Sequence, residues 1–303
     1  MTRAVVLVLV LLVPGVAAPG DFLEGSHDGR AYRLFVPSAP RPGAPLVLAL
    51  HGCWQTPEDF ALGTRLNAAA ERRGLTVLYP AQTRRDNPYR CWNWFHPSSH
   101  AAATGEPAEL TALARRVQRE RGMRERRVIV IGFSAGAFMA VNLACAAPDL
   151  VRGVGVAAGG PYRCATGPEG AIRCMRGVVR DGTPAARACL AATGARRLIL
   201  RASLWHGGAD AVVAPANLTA LELMLARALR LETSTTEPYE GAARSVHRDA
   251  RGQPLLETWL VPAMGHAWSG GDPRGTHTYP PGPDATTRML DFLLDPSPVE
   301  RER

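Results

Sequence analysis

Short apolar runs alternate with segments of helical periodicity along most of the chain. Continuous apolar runs are typical of strands buried on both faces of a sheet, and the sequence predicts six, at residues 45–50, 75–79, 127–133, 151–157, 198–205 and 255–261. Apolar residues at helical spacing predict helices at 57–73, 106–121, 134–146, 215–231 and 283–294. Because strands and helices alternate, we expect an α/β fold with a mostly parallel central sheet flanked by helices.

Two stretches interrupt this alternation. Residues 80–105 are polar and contain tryptophan, which indicates a long loop. Residues 158–196 carry glycines, prolines and three of the cysteines, and we expect an insertion there that packs over the carboxyl edge of the sheet. Neither an internal repeat nor a linker to a second domain is visible, so we expect one domain over residues 19–303.

The strongest local motif is Gly132-Phe133-Ser134-Ala135-Gly136. It follows a Val-Ile-Val-Ile run and begins an alanine-rich helix, which is the context in which Gly-x-Ser-x-Gly forms the nucleophile elbow of an α/β-hydrolase. The glycines leave room for a sharp turn that raises the serine hydroxyl above the sheet. We therefore predict Ser134 as the nucleophile of a serine hydrolase.

A serine nucleophile needs a histidine to accept its proton and a carboxylate to orient that histidine. In this fold the acid and the histidine follow the serine in that order. Asp210 comes directly after the strand at 198–205, and His266 follows the last predicted strand, so both belong to the same sheet edge as Ser134. Other residues are possible in each role: Asp181 or Asp249 as the acid, and His247 or His277 as the base.

The oxyanion of an acyl-transfer intermediate needs two backbone donors. One is the amide of Ala135, which follows the nucleophile. The second is expected in the loop after an early strand, where His51-Gly52-Cys53 stands, and we predict the amide of Cys53.

The first residues predict export. A positive start, an apolar run over residues 4–13 and the small residues before Pro19 are typical of a cleaved signal peptide, which we place at 1–18. An uncleaved anchor is the alternative. Six cysteines follow, and an even number in an exported chain favours disulfides, although six allow 15 pairings.

No cysteine or histidine spacing indicates a zinc site, and we expect no metal or other cofactor. No later segment is apolar enough to cross a membrane.

The net charge of +8 comes entirely from arginine, since the chain contains no lysine. The arginines are densest over residues 115–127, and clustered cations can attract nucleic acid. No aromatic residues alternate with these arginines, and Glu120 and Glu125 dilute their charge, so a solvated helix face is the better interpretation. We expect no nucleic-acid partner, and the sequence leaves the oligomeric state open.

Several motifs together resemble the polyhydroxybutyrate depolymerase family of esterases. The resemblance runs from about residue 30 to about residue 295 and rests on Leu50 to Cys53 with Gln55-Thr56 and Asp59-Phe60, Leu78-Tyr79-Pro80, Arg90 to Phe95, Gly132 to Gly136, Pro161-Tyr162 with Cys164, His206 to Asn217, and Gly265 to Trp268. It departs from the family at Gly208 and in the loop at 96–104. Because that loop borders the expected cleft, substrate choice is the property least fixed by the resemblance.

The resemblance implies the same triad of Ser134, Asp210 and His266. It also implies a Cys53–Cys91 disulfide that holds the oxyanion loop, with Cys164–Cys174 as the next expected pair. Trp92, Trp94 and Trp268 are implied as walls of the acyl groove, while packing in the core is the alternative for buried tryptophan.

The resemblance implies a secreted serine esterase, extracellular or periplasmic, that acts on 3-hydroxyalkanoate esters or oligomers. Relatives that attack crystalline polyester usually carry an added binding domain, and only residues 295–303 follow the last predicted helix, so soluble or amorphous esters are the expected substrates. The alternative is an aryl or acetyl ester of plant polysaccharide, as in feruloyl and acetylxylan esterases. A non-catalytic binding protein and an acyltransferase are the other two hypotheses.

Overall fold

The structure is a computed structural model that describes residues 20–123 and 128–295. The predicted signal peptide lies outside these residues, and so do parts of the arginine-rich stretch and of the carboxyl-terminal tail. Within the described residues, no helix combines the length and the hydropathy that a bilayer-spanning segment needs.

Ten strands form one sheet. In chain order they are β1 (Asp21–His27), β2 (Arg30–Val36), β3 (Leu46–Leu50), β4 (Val77–Pro80), β5 (Val128–Phe133), β6 (Val151–Ala157), β7 (Arg201–Gly207), β8 (Leu231–Tyr239), β9 (Ala242–Asp249) and β10 (Pro254–Val261). Their order across the sheet is β1-β2-β4-β3-β5-β6-β7-β10-β9-β8. The six central strands from β4 to β10 are parallel, and the two outer strands on each side are antiparallel. The prediction of a mostly parallel sheet is confirmed.

Helices cover both faces of this sheet. They are α1 (Pro57–Thr64), α2 (Leu66–Glu71), α3 (Gly105–Glu120), α4 (Ala135–Ala146), α5 (Gly167–Met175), α6 (Thr183–Thr193), α7 (Ala216–Leu229) and α8 (Ala285–Leu294). In β3, Leu46, Leu48 and Leu50 join the core with α3, α4 and α7, while Val47 and Ala49 join the core with α1, α2 and α8. This alternation follows from the two-residue period of a strand and explains why the run at 46–50 is apolar throughout.

The predicted helix at 57–73 is wrong as one element, because it is two helices. Arg65 ends α1 in the left-handed conformation with φ of 54°, and α2 restarts at Leu66. The insertion at 158–196 contains α5 and α6, of which α6 packs on α7 and α4. The loop at 80–105 contains a short 3₁₀ turn at Pro97–His100.

All six cysteines form disulfides. The pairs are Cys53–Cys91, Cys145–Cys189 and Cys164–Cys174. Both expected pairs are therefore confirmed. Cys145–Cys189 joins the buried helix α4 to α6 of the insertion, and so fixes the insertion to the centre of the domain.

Candidate active site

Ser134 occupies a strained turn between β5 and α4. Its backbone has φ of 53° and ψ of −121°, which few residues other than glycine adopt. The turn is fixed to the next strand because the amide of Ser134 donates to the carbonyl oxygen of Ala157 at 2.9 Å. The hydroxyl is therefore held at the carboxyl edge of the sheet, as the Gly-x-Ser-x-Gly motif predicts.

The two glycines of the motif are required by close backbone packing. A Cβ on Gly132 would lie 2.2 Å from the carbonyl oxygen of Gly136. A Cβ on Gly136 would lie 2.1 Å from the carbonyl oxygen of Leu50 and 2.6 Å from that of His51. The start of α4 thus packs directly against the end of β3, which brings the serine turn beside the loop that carries Cys53.

The loops after β7 and β10 are joined by backbone hydrogen bonds. The amide of Gly208 donates to the carbonyl oxygen of Val261 at 2.9 Å, and that of Ala209 donates to Met264 at 3.0 Å. Since β7 and β10 are parallel neighbours, Asp210 and His266 leave the sheet at the same edge. Strand topology and loop pairing together bring both residues to Ser134.

The three side chains form one hydrogen-bonded chain. His266 Nε2 lies 2.9 Å from Ser134 Oγ, and His266 Nδ1 lies 2.7 Å from Asp210 Oδ2. In the neutral histidine, Nδ1–H donates to the carboxylate and leaves Nε2 free to accept the serine proton. This geometry can transfer a proton away from the serine hydroxyl.

Asp210 is held as a carboxylate. Its Oδ1 accepts hydrogen bonds from the amides of Val212 and Val213, both at 2.8 Å. Burial alone would raise the pKa of Asp210, but its interactions with His266 and with these two amides outweigh burial and hold the pKa below its usual value. The residue is therefore suited to stabilise a positive charge on His266.

A second histidine, His206, packs behind the carboxylate. Its Nε2–H donates to the carbonyl oxygen of Val213 at 2.8 Å, and the same nitrogen lies 3.7 Å from Asp210 Oδ2. Burial lowers the pKa of His206, so the ring is neutral and closes the loop from residue 206 to residue 213. Sequence reasoning missed this contact, although the His-x-x-x-Asp spacing after a buried strand was a signal for it.

The loop after β3 is rigidly held beside the serine turn. The amide of Gly52 donates to Gln55 Oε1 at 2.8 Å, and the indole of Trp92 donates to the carbonyl oxygen of His51 at 3.1 Å. The Cys53–Cys91 disulfide ties the same loop to the segment at 81–104. Ala135 is the first residue of α4, where amides have no acceptor within the helix. The two amides predicted as oxyanion donors thus belong to adjacent, fixed segments.

His51 stabilises this loop in its neutral form. Its Nδ1–H donates to the carbonyl oxygen of Gly52 at 2.7 Å, and its Nε2 accepts from the amide of Gln82 at 3.1 Å. Burial lowers the pKa of His51 to about 4. A protonated ring has no acceptor nitrogen, so protonation would break the bond to Gln82.

A buried glutamate organises the segment at 81–104. Glu106 accepts from Gln82 Nε2 at 2.6 Å and from the amide and side chain of Asn93 at 2.7 and 2.9 Å. Burial raises the pKa of Glu106 in spite of these bonds. By holding Asn93, the carboxylate of Glu106 also fixes the neighbouring Trp92. Trp92 in turn holds the loop that carries Cys53.

The three tryptophans predicted as substrate contacts are buried. Trp92, Trp94 and Trp268 have exposed fractions of 0%, 5% and 2%. Trp94 stacks on Phe138 with ring centroids 4.0 Å apart, and Trp268 donates its indole N–H to Thr286 at 3.0 Å. Packing in the core accounts for all three side chains in this structure, and their contact with substrate stays a prediction.

The alternative acids and bases lie elsewhere. Asp181 accepts from the amide of Thr183 at the start of α6, and Asp249 accepts from the amides of Arg251 and Gln253 in the turn after β9. His247 pairs with Glu222 at 3.2 Å. His277 lies near the site, with its ring centroid 6.1 Å from that of His266, but it is not hydrogen-bonded to Ser134 in this structure. Among the described residues, no group of three or more acidic, histidine or cysteine side chains is arranged to hold a metal ion.

The sequence of the chain is similar to those of known proteins. A family profile described as "Esterase PHB depolymerase" matches residues 30–247. Poly(3-hydroxyalkanoate) depolymerase C of Paucimonas lemoignei is 35% identical over 236 residues, which are 76% of this chain and 56% of the relative. Feruloyl esterase B of Thermothelomyces thermophilus is 26% identical over 221 residues, 69% of this chain and 74% of the relative. The chain spans about half the length of the two polyhydroxyalkanoate depolymerases that it matches.

Solved structures support the fold. An acetyl xylan esterase from Aspergillus awamori superposes with a TM-score of 0.71 at 18% identity, and the match covers 82% of this chain and 94% of that one. The feruloyl esterase module from Clostridium thermocellum gives a TM-score of 0.59 at 13% identity, covering 93% and 92%. The predicted α/β-hydrolase fold is confirmed.

Proposed function

We propose that this chain, which belongs to the Esterase PHB depolymerase family, is a serine esterase. It hydrolyses carboxylic esters through an acyl-enzyme on Ser134. The observation that carries the proposal is the continuous chain of hydrogen bonds from Ser134 through His266 to Asp210. A serine hydroxyl in such a chain becomes a nucleophile, because a neutral imidazole accepts its proton as it attacks.

Acylation begins when Ser134 Oγ attacks the ester carbonyl carbon. His266 Nε2 takes the serine proton, and the ionised Asp210 stabilises the resulting imidazolium. The carbonyl oxygen becomes an oxyanion that accepts from the amides of Cys53 and Ala135. His266 then gives the proton to the departing alcohol oxygen as the bond to that oxygen breaks.

Deacylation repeats these steps with water. His266 accepts a proton from the water, the resulting oxygen nucleophile attacks the acyl carbon, and the proton returns to Ser134 Oγ when the acid leaves. The rigid support of both donor segments favours this chemistry, since fixed dipoles need no reorganisation during the reaction.

The proposed substrates are 3-hydroxyalkanoate esters or their oligomers. This choice rests on the relative named poly(3-hydroxyalkanoate) depolymerase C, which is more similar to this chain than feruloyl esterase B is. A second candidate is an aryl or acetyl ester of plant polysaccharide. It is favoured by the relatives named feruloyl esterase B and by the acetyl xylan esterase that superposes on the chain.

We also propose that residues 19–303 form the catalytic domain and act outside the cytoplasm. Three disulfides among the described residues support export, because such bonds form and persist in oxidising compartments. The sequence pattern of residues 1–18 supports the same destination.

A substrate panel tests the proposal. The purified protein is assayed with p-nitrophenyl esters, 3-hydroxybutyrate oligomers and methyl ferulate, with Ser134→Ala as the inactive control. Hydrolysis of oligomers in preference to methyl ferulate supports the first candidate, and the reverse supports the second. Binding without hydrolysis would indicate a non-catalytic protein, and ester exchange with added alcohol in place of hydrolysis would indicate an acyltransferase.

A further inference from the structure

Two exposed aromatic rings lie together beside the loop that carries Cys53. Trp54 and Tyr89 have exposed fractions of 55% and 56%, and their ring centroids are 5.2 Å apart in an edge-to-face contact. The chain has six tryptophans, all within the described residues, and the other five are buried. The core therefore does not account for the position of Trp54.

The pair is rigidly connected to the candidate oxyanion donor. Trp54 directly follows Cys53, and its amide donates to the carbonyl oxygen of Tyr89 at 2.7 Å. Tyr89 stands two residues before Cys91, the disulfide partner of Cys53. The hydrogen bond and the disulfide thus fix the backbone of both residues relative to the same loop, and the contact between the two rings adds to this order.

A cation accompanies the two rings. The guanidinium carbon of Arg84 lies 5.8 Å from the Trp54 ring centroid. Over residues 20–123 and 128–295, no carboxylate forms an ion pair with Arg84. The surface formed by Trp54, Tyr89 and Arg84, which we term the aromatic platform, therefore offers apolar ring faces together with one positive charge.

We propose that the aromatic platform binds the acid-terminal unit of a hydroxyalkanoate oligomer. The inference rests on the proposed function and adds to it the residues that recognise the leaving group. Aromatic faces pack well against the methyl and methylene groups of such a unit, and Arg84 complements its terminal carboxylate. Every ester bond in the oligomer joins an acyl group to an alcohol oxygen, and the free carboxylate is always on the alcohol side. The platform is therefore a leaving-group subsite.

Kinetics with matched substrates tests this assignment. Trp54→Asn removes the indole, and asparagine tolerates the left-handed backbone that Trp54 adopts with φ of 66°. We expect the ratio of kcat/KM for the 3-hydroxybutyrate trimer to kcat/KM for p-nitrophenyl acetate to fall about five- to tenfold, with a smaller fall in Tyr89→Ser and partial recovery in Trp54→Phe. Ile199→Ala is the control, because this residue is equally exposed at 55% but precedes β7, at the opposite edge of the sheet.

The charge is tested separately with Arg84→Gln. The ratio of kcat/KM for the free trimer to that for its methyl ester should fall about two- to fivefold in this variant. The wild-type ratio should also decline as salt is added, since an exposed ion pair is screened.

Binding without turnover gives an independent readout. In Ser134→Ala, acrylamide quenches mainly Trp54, because the other indoles are buried. The trimer should shield this fluorescence, and the shielding should be absent in Ser134→Ala/Trp54→Phe.

The outcomes separate the subsite from the proposed function. If the wild type does not hydrolyse oligomers at all, the proposed function with hydroxyalkanoate oligomers as substrates is wrong. If it hydrolyses them, and the trimer neither protects Trp54 nor loses its kinetic advantage in Trp54→Asn, the aromatic platform is not a substrate subsite. The free trimer and its methyl ester are also compared, with and without the Arg84→Gln substitution. If both ligands shield Trp54 equally in both proteins, the assignment to the carboxylate end is wrong.

Discussion

The stability of the domain should depend on pH through His51. This ring is buried beside the candidate oxyanion donor, and burial lowers its pKa to about 4 from an ordinary value of 6.5. As the pH falls below 6.5 the unfolded chain takes up a proton on this residue, whereas the folded chain does so only near pH 4. Acid therefore favours the unfolded state, and the stabilisation present above pH 6.5 is lost progressively as the pH falls.

These two pKa values give the size of the effect. Proton linkage with one site predicts that His51 alone removes about 2 kcal/mol of unfolding free energy between pH 8 and pH 5. Other groups titrate in the same range, so the wild type must be compared with a variant that differs only at this position. His51→Gln keeps an acceptor for the amide of Gln82 but cannot take up a proton.

The assay is urea unfolding of the non-reduced protein at pH 8 and pH 5. The wild type should lose about 2 kcal/mol more than His51→Gln across this interval, even if the variant is less stable at pH 8. Losses that agree within about 0.5 kcal/mol, the usual scatter of such comparisons, would refute the reasoning that a neutral, buried His51 holds this loop.

Three further predictions follow from the site and its packing. Asp210→Asn should lower turnover about 10³- to 10⁴-fold with little change in KM, because the amide favours the wrong histidine tautomer; a folded variant with wild-type turnover would return the search to Asp181 or Asp249. Gly136→Ala should destabilise the domain by about 3 kcal/mol or more, since its Cβ would lie 2.1 Å from a backbone oxygen, whereas Gly265→Ala has no atom within 4 Å and serves as the control in urea unfolding. The denatured, non-reduced protein should contain no alkylatable thiol, and reduction should lower its stability by about 3 kcal/mol or more; two reactive thiols would contradict the disulfide assignment.

The centre of the fold was predictable from the sequence because its strands are buried on both faces. β6 at Val151–Ala157 has the predicted bounds, β3 differs from prediction by one residue at the start, and β5 agrees with prediction over its described residues, Val128–Phe133. The order of the motifs along these parallel strands was enough to bring Ser134, Asp210 and His266 to one edge.

The edges of the sheet were not predictable in the same way. β8 has the sequence Leu-Glu-Thr-Ser-Thr-Thr-Glu-Pro-Tyr and is largely exposed, so it lacks the apolar run that marked the inner strands. The break at Arg65 was missed because an arginine in the left-handed conformation leaves no trace in apolar periodicity. Tertiary packing decides both features.

The site was predictable in its reactive groups and less so in its surroundings. Hydrolase motifs specify which residues react, whereas exposure depends on the packing of distant segments. The sequence did not distinguish the buried Trp92 from the exposed Trp54. Trp92 holds the loop after β3 through its indole N–H, whereas Trp54 belongs to that loop and is exposed. The support of Asp210 by His206 likewise depends on the path of the loop after β7.

Active-site labelling tests the central proposal most directly. The wild-type protein and Ser134→Ala are each incubated with a fluorophosphonate, digested, and mapped by mass spectrometry for the modified residue. We predict one phosphonate per wild-type chain, attached to Ser134 Oγ, with loss of esterase activity in proportion to labelling, and no labelling of Ser134→Ala. Stoichiometric labelling at another serine, or an unlabelled wild type that still hydrolyses esters, would contradict the proposal that Ser134 is the nucleophile.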